Sequence, residues 1–346
     1  MKKIATILIV IVMIFSSGCA TNQKPINDDG IVKIGFIPET MTVERWQRDR
    51  DIFVAKAKEL GAEVIVKNAY EDSQVQKEIG IDMIDEGVDV LAIVAYDKNS
   101  LADLVEYAHE KNVSVIAYDR MIMNANVDLY ISFDNYKVGN LIGRAVTKAK
   151  PTGKYLILNG SETDNNAFMF NEGYMKVIQP LIDKGLIDVV GETWIDDWRD
   201  ELSYAYVSKK IDEVRFDAIV AANDRVAEGA INALSENRLN EGVYVTGQDA
   251  EIAACQRIVE GTQDMTVYKP INVLAEGAAE IAVKMANGED IGPYDKISDG
   301  KYEVAYIAYD PISVTAENIY ETVIKDGFYT VEQVYANVDE SLWPMH

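Results

Sequence analysis

From Ile31 onward, short β-rich runs alternate with amphipathic helical stretches, and this alternation constrains the chain more than any other feature. It is the pattern of a parallel sheet covered by helices, because each parallel strand needs a crossover of a dozen or more residues to reach the next. The first series predicts strands at 32–38, 63–68, 90–95 and 115–118. Its first helix carries Trp46, Phe53, Ala57 and Leu60 at helical spacing, with Gly61 where a C-terminal cap belongs.

A second series follows, with strands at 155–158, 189–194, 217–221 and 243–246. Helices are predicted before, between and after them at 136–148, 166–184, 203–213, 226–236 and 252–260. Three further extended runs, 127–133, 265–268 and 302–309, fall where the chain would pass between two such units, with a helix at 271–285. The expectation is an α/β protein of two Rossmann-like lobes with parallel sheets, joined by a three-segment hinge able to close on a ligand. The lobes are assigned to 31–131 with 269–307 and to 132–268 with 308–346. About 315 folded residues suffice for two domains.

The N-terminus reads as an export signal. Met1-Lys2-Lys3 is basic, Ile4 to Phe15 is apolar but shorter than a membrane span, and Ser16-Ser17-Gly18 leads into Cys19. Cleavage before Cys19 and acylation of its thiol would anchor the chain to the outer face of a membrane, with the polar segment up to Gly30 as tether. A plain secreted protein is the alternative. Cys255 is then the one other cysteine, so no internal disulfide is expected.

With 33 basic and 57 acidic side chains, the chain has a formal net charge of −24, and loss of residues 1–18 removes two lysines more. Such a surface repels phosphate backbones, which argues against nucleic acid as a partner and for a solvated exterior.

Open parallel sheets bind ligands at the carboxyl ends of their strands, and here those positions are polar. Asp119 and Arg120 follow one predicted strand; Asn159-Gly160-Ser161 with Asp164, Asn165 and Asn166 follow another; Asn223 and Asp224, then Gly247-Gln248-Asp249, follow two more. Each Asp or Asn could alone be a helix cap or turn residue, but recurrence at four strand ends favours a site. Carboxylates accept, guanidinium groups donate in a planar fork and amides do both, which is the inventory a polyhydroxylated ligand requires. Trp46 and Trp198 are candidates to cover the apolar faces of a sugar ring, with core packing the alternative for Trp46, whereas Trp194 reads as strand core. Arg45 opposes the helix dipole at a helix start; it is either functional or offset at the surface by Glu44 and Asp49.

Six ordered motifs carry a resemblance: Glu44-Arg45-Trp46-Gln47-Arg48-Asp49-Arg50-Asp51, Ala117-Tyr118-Asp119-Arg120, Leu129-Tyr130-Ile131-Ser132-Phe133-Asp134-Asn135, Thr163-Asp164-Asn165-Asn166, Gly247-Gln248-Asp249 and Met265-Thr266-Val267-Tyr268-Lys269-Pro270. Together they are similar to the periplasmic D-xylose-binding family of ABC sugar importers, over about 31–327. The resemblance implies the type I periplasmic-binding-protein fold and binding of D-xylose or a related monosaccharide. By it, Arg45, Trp46, Asp119 and Arg120 of the first lobe, Asp164, Asn166, Trp198, Asn223 and Asp249 of the second, and Lys269 at the hinge would form the ligand site. It implies a membrane permease as partner, with a sensor kinase or chemoreceptor as the alternative, and no cofactor. Thr42 departs from the family pattern where a basic residue is common, as does the run Asp224-Arg225-Val226-Ala227-Glu228-Gly229, and the stretch after Gly288 is only loosely similar.

An enzyme is the rival class, with Asp119 and Asp249 as a glycosidase pair. Its support is thin: the chain has His109 within a helical stretch and His346 at its end, and no Walker-A loop or G-x-S-x-G elbow. A repressor of the same two-lobe shape is disfavoured by the export signal and the acidity.

Overall fold

The computed structural model describes residues 30–344; the stretch expected to be an export signal, Cys19 and the expected tether up to Asp29 lie outside the described residues. The chain runs β1 (Lys33–Ile37), α1 (Glu44–Glu59), β2 (Glu63–Val66), α2 (Ser73–Asp85), β3 (Val90–Ile93), α3 (Ala102–Glu110), β4 (Ser114–Tyr118) and β5 (Leu129–Phe133). It continues through α4 (Asn135–Ala149), β6 (Gly153–Asn159), α5 (Asn165–Ile182), β7 (Ile187–Trp194), α6 (Asp200–Glu213), β8 (Ala218–Ala221), α7 (Asp224–Glu236), β9 (Tyr244–Val245) and α8 (Ile252–Glu260). The last elements are β10 (Thr266–Tyr268), α9 (Ile271–Ala286), β11 (Asp295–Ser298), β12 (Glu303–Tyr309), β13 (Ile312–Val314) and α10 (Val331–Val334).

Two main sheets result. The first has the order β11-β12-β5-β4-β3-β1-β2 and is parallel except for the antiparallel edge strand β11. The second, β7-β6-β8-β9, is wholly parallel. A small antiparallel ribbon pairs β10 with β13. The chain therefore leaves the first sheet after β5, returns through α9 to β11 and β12, and leaves again to β13, three passages in all.

Two of the three extended runs that sequence places between the lobes lie inside the first sheet, β5 between β4 and β12 and β12 beside it, whereas the third is β10 of the small ribbon. The expected lobe boundaries at 131/132 and 307/308 fall within β5 and β12.

The first sheet is covered on both faces, which explains why its strands are nearly continuous apolar runs. Phe36, Phe53, Tyr118, Phe133 and Leu274 pack on the α1/α9 face. Ile37, Met83, Leu91, Leu104 and Tyr130 pack on the α2/α3 face. Helix α1 buries Trp46, Asp49, Phe53 and Ala57 at helical spacing, so a carboxylate sits on the stripe. Leu60, expected on that stripe, is exposed, because the helix ends there and Gly61 turns the chain at φ +84°. Trp194, read as strand core, is half-buried and packs against Phe168 at 4.6 Å between ring centroids. Cys255 is buried and free.

Candidate functional site

The carboxyl ends of both sheets face one cavity of about 100 Å³. The loop after β1 supplies Glu39, and the start of α1 supplies Arg45 and Trp46; Tyr96 follows β3, and Asp119 and Arg120 follow β4. From the second lobe come Asp164, Asn166, Trp198, Asn223, Gln248 and Asp249, and Lys269 follows β10. All ten residues named from the sequence thus line one cavity, between the two lobes.

Three ion-paired groups organise the walls. Arg45 Nη2 donates to Asp119 Oδ1, its Nη1 lies 3.5 Å from Asp249 Oδ1 and its Nε 3.6 Å from Asp49 Oδ2. Lys269 Nζ lies 2.8 Å from the same Asp249 oxygen. Arg120 pairs through Nη1 with Glu39 and through Nε with Asp164 Oδ2 at 3.0 Å. Arg45–Asp249 and Arg120–Asp164 each join one lobe to the other.

Arg45 is therefore not offset at the surface. Asp49 does sit beside it, but fully buried and bonded to the Tyr118 hydroxyl.

Burial and charge act in opposition on these groups. Burial pushes Glu39 up to about 7 despite Arg120 and the Trp46 hydrogen bond, and pushes Asp49 up to about 6 against the pull of Arg45. Burial also raises Asp164, with Arg120 opposing. At Asp119 burial is outweighed by Arg45, Lys269 and Arg120, which hold it below the usual range. The cations differ in the same way: Arg45 and Arg120 are held charged by their carboxylates against the cost of burial.

The two tryptophans are fixed by different means. Trp46 Nε1 donates to Glu39 Oε1 at 2.9 Å, and its indole also lies under the Arg45 guanidinium at 4.5 Å, so it is both packed and at the site. Trp198 ends a single 3₁₀ turn in which Asp197 and Trp198 hold φ of 51° and 57°. Its ring lies against Gly160, where an added Cβ would overlap the indole. Asp119 (φ 61°) and Asp249 (φ 104°) also occupy left-handed backbone, a concentration of strain typical of binding sites. Trp198 Nε1 and Gln248 Oε1 are buried without a hydrogen-bond partner and border the cavity. Such groups cost about 1–3 kcal/mol unless a ligand answers them.

The cap reading and the site reading hold together at two positions. Asp164 Oδ1 accepts from Asn166 N at 2.9 Å and caps α5; Asn223 Oδ1 accepts from Val226 N at 2.8 Å and caps α7. Each uses one oxygen on its helix and still lines the cavity.

Asn166 is the residue whose surroundings differ most from its expected role. Its carbonyl accepts from Tyr130 Oη at 3.0 Å and from Asn135 Nδ2 at 2.9 Å, and its Nδ2 donates to the Asp119 carbonyl at 3.0 Å. The amide thus ties α5 to the strand-end loops of the first lobe while bordering the cavity.

Sequence reasoning missed Glu39, Tyr96 and Arg225, which also line it. The rule that singled out Asp119 would have found Glu39 and Tyr96, since both follow strands of the first sheet. Among the described residues no group of three or more His, Cys, Asp or Glu is disposed to hold a metal ion.

A family model described as periplasmic binding protein domain matches residues 34–290. The D-xylose-binding periplasmic protein of Haemophilus influenzae is 45% identical over 306 residues, 88% of this chain and 92% of that protein. The protein of the same description from Escherichia coli K12 is 45% identical over 300 residues, 86% of this chain and 91% of that one. Among solved structures, an ABC transporter solute binding protein from Clostridium phytofermentans with bound β-D-glucose superposes with a TM-score of 0.80. It is 29% identical, and the match covers 87% of this chain and 99% of that one.

Proposed function

This chain belongs to the periplasmic binding protein family, and from that membership we propose that it binds one D-xylose between its lobes and delivers it to the permease of an ABC importer. The observation that carries the reading is the placing of Trp46 and Trp198 on one small cavity with acids, amides and cations from both lobes. Two indoles answer the C–H faces of a pyranose, and each hydroxyl finds both a donor and an acceptor. The ten residues Arg45, Trp46, Asp119, Arg120, Asp164, Asn166, Trp198, Asn223, Asp249 and Lys269 contact the sugar or hold those that do.

Discrimination follows from the same chemistry. A sugar lacking one hydroxyl leaves a buried charged or amide group unanswered, which costs far more than a lost contact in an apolar pocket.

Binding takes place outside the cytoplasm, with the protein held to the membrane by an acylated Cys19. Mass spectrometry of the mature N-terminus tests the anchor: an unmodified cysteine, or cleavage elsewhere, refutes it. Calorimetry of the exported form against pentoses and hexoses tests the ligand. D-Xylose is expected to bind at micromolar or tighter affinity with a change in tryptophan fluorescence, and silence across the panel refutes the reading. Loss of xylose uptake on deletion marks the permease as partner, whereas intact uptake with lost induction assigns the sensor role instead.

A further inference from the structure

The turn after β3 reaches from the first lobe to the second beside the cavity. Lys98 makes three contacts with the second lobe there: its backbone N–H donates to the Thr163 carbonyl at 2.8 Å, its ammonium donates to the Glu162 carbonyl, and that ammonium lies 3.9 Å from the centroid of the Phe168 ring. Beside it, Tyr96 Oη donates to Asp197 Oδ1 at 3.1 Å.

The clasp is rigid on its own side. Asp97 Oδ1 accepts from Asn99 N at 2.8 Å, the Asp97 carbonyl accepts from Ser100, and the Lys98 carbonyl accepts from Met123 N at 2.7 Å. Two of its targets, Thr163 and Asp197, belong to the cavity wall, and a further one, Phe168, lies behind it. Thr163 precedes Asp164, Asp197 precedes Trp198, and Phe168 lies one turn into α5 from Asp164, braced by Trp194. Lys98 itself does not line the cavity.

We propose that Lys98 is an affinity-determining residue that does not touch the ligand: it clasps the 162–168 segment and so sets the fraction of molecules whose lobes are closed. Every one of its cross-lobe contacts is lost when the lobes separate. The apparent dissociation constant is the intrinsic one divided by the closed fraction, so weakening the clasp weakens all ligands by the same factor. Burial lowers the Lys98 ammonium below its usual value despite Asp164, Asp97 and Glu162, in keeping with partial loss of its water, the setting in which a cation over a ring is worth most.

The inference deepens the sugar-binding reading, and the test separates the two. Lys98→Ala and Phe168→Ala are each expected to weaken D-xylose binding about fivefold through faster dissociation, leaving the preference among sugars unchanged. Lys98→Arg, which keeps a cation for the ring and the carbonyl, is expected to restore most of the affinity. Small-angle scattering of the ligand-free protein should show a larger mean radius of gyration for Lys98→Ala than for wild type. Affinity within twofold of wild type with unchanged scattering overturns the proposal, and so does an altered sugar preference, which would mean direct contact. If the wild type binds no sugar, the functional reading falls while the scattering comparison still decides the clasp.

Discussion

Arg120 Nε lies 3.0 Å from Asp164 Oδ2, so a guanidinium at the end of β4 is paired with the residue that caps α5 in the other lobe. The other arm of the guanidinium holds Glu39, which in turn holds the edge of Trp46. One chain of contacts therefore runs from a second-lobe helix cap to a first-lobe aromatic plate. Closure and the aim of the plate are linked through it.

Asn223 caps α7 and borders the cavity at once, which separates two substitutions. Asn223→Asp keeps an accepting oxygen for Val226 N and should preserve stability within a few tenths of a kcal/mol, while losing the amide donor and at least tenfold in D-xylose affinity. Asn223→Ala should lose that affinity and about 1 kcal/mol of stability as well. Denaturant melts with calorimetry check this; equal stability for the two variants would refute the cap.

Gly160 is held to glycine by the indole packed on it. Gly160→Ala is expected to displace Trp198 and weaken sugar binding more than tenfold, about 1.4 kcal/mol or more, with a shifted tryptophan emission spectrum. Wild-type affinity together with an unchanged spectrum would show that the ring is not seated there.

Asp249 is the nearest anion to Lys269, which is 3% exposed, and also lies by Arg45. Asp249→Ala leaves that ammonium buried and unpaired, a change that costs about 3–5 kcal/mol in comparable buried pairs. A marked fall in melting temperature and at least a tenfold loss of affinity are expected; a variant as stable as wild type would contradict the pairing.

Three buried acids, Asp49, Glu39 and Asp224, and the part-buried Glu251 favour the folded state at low pH. Burial is the largest cause in each, raising Asp49 to about 6, Glu39 and Asp224 to about 7 and Glu251 to about 8. Their unfolded values lie in the ordinary carboxylate range near 4, so between about pH 4 and 8 the folded state holds more protons than the unfolded one. Stability from these groups is thus complete below that window and is lost as pH rises through the folded values. The ligand-free protein should melt at a lower temperature at pH 8.5 than at pH 5, with a shallower slope in Glu251→Gln; a melting temperature that rises over this interval would contradict the burial of these acids.

The alternation of β-rich runs and amphipathic helices was enough to place two parallel-sheet lobes and most of their strands, because the period of apolar residues is a local property written along the chain. The strand-end rule likewise marked Asp119, Asp164, Asn223 and Asp249, since a parallel sheet directs its carboxyl ends to one side. Strand β11 escaped notice, as an exposed edge held by pairing with β12 that needs no apolar pattern of its own. Only the tertiary structure decided that Glu39 braces Trp46 and Arg120, that the Asn166 amide is bonded across the lobes, and that Lys98 reaches Phe168. Those relations join residues between 7 and 81 positions apart through side-chain bonds or ring contacts, whose partners are set by how the lobes meet and leave no periodic trace in the sequence.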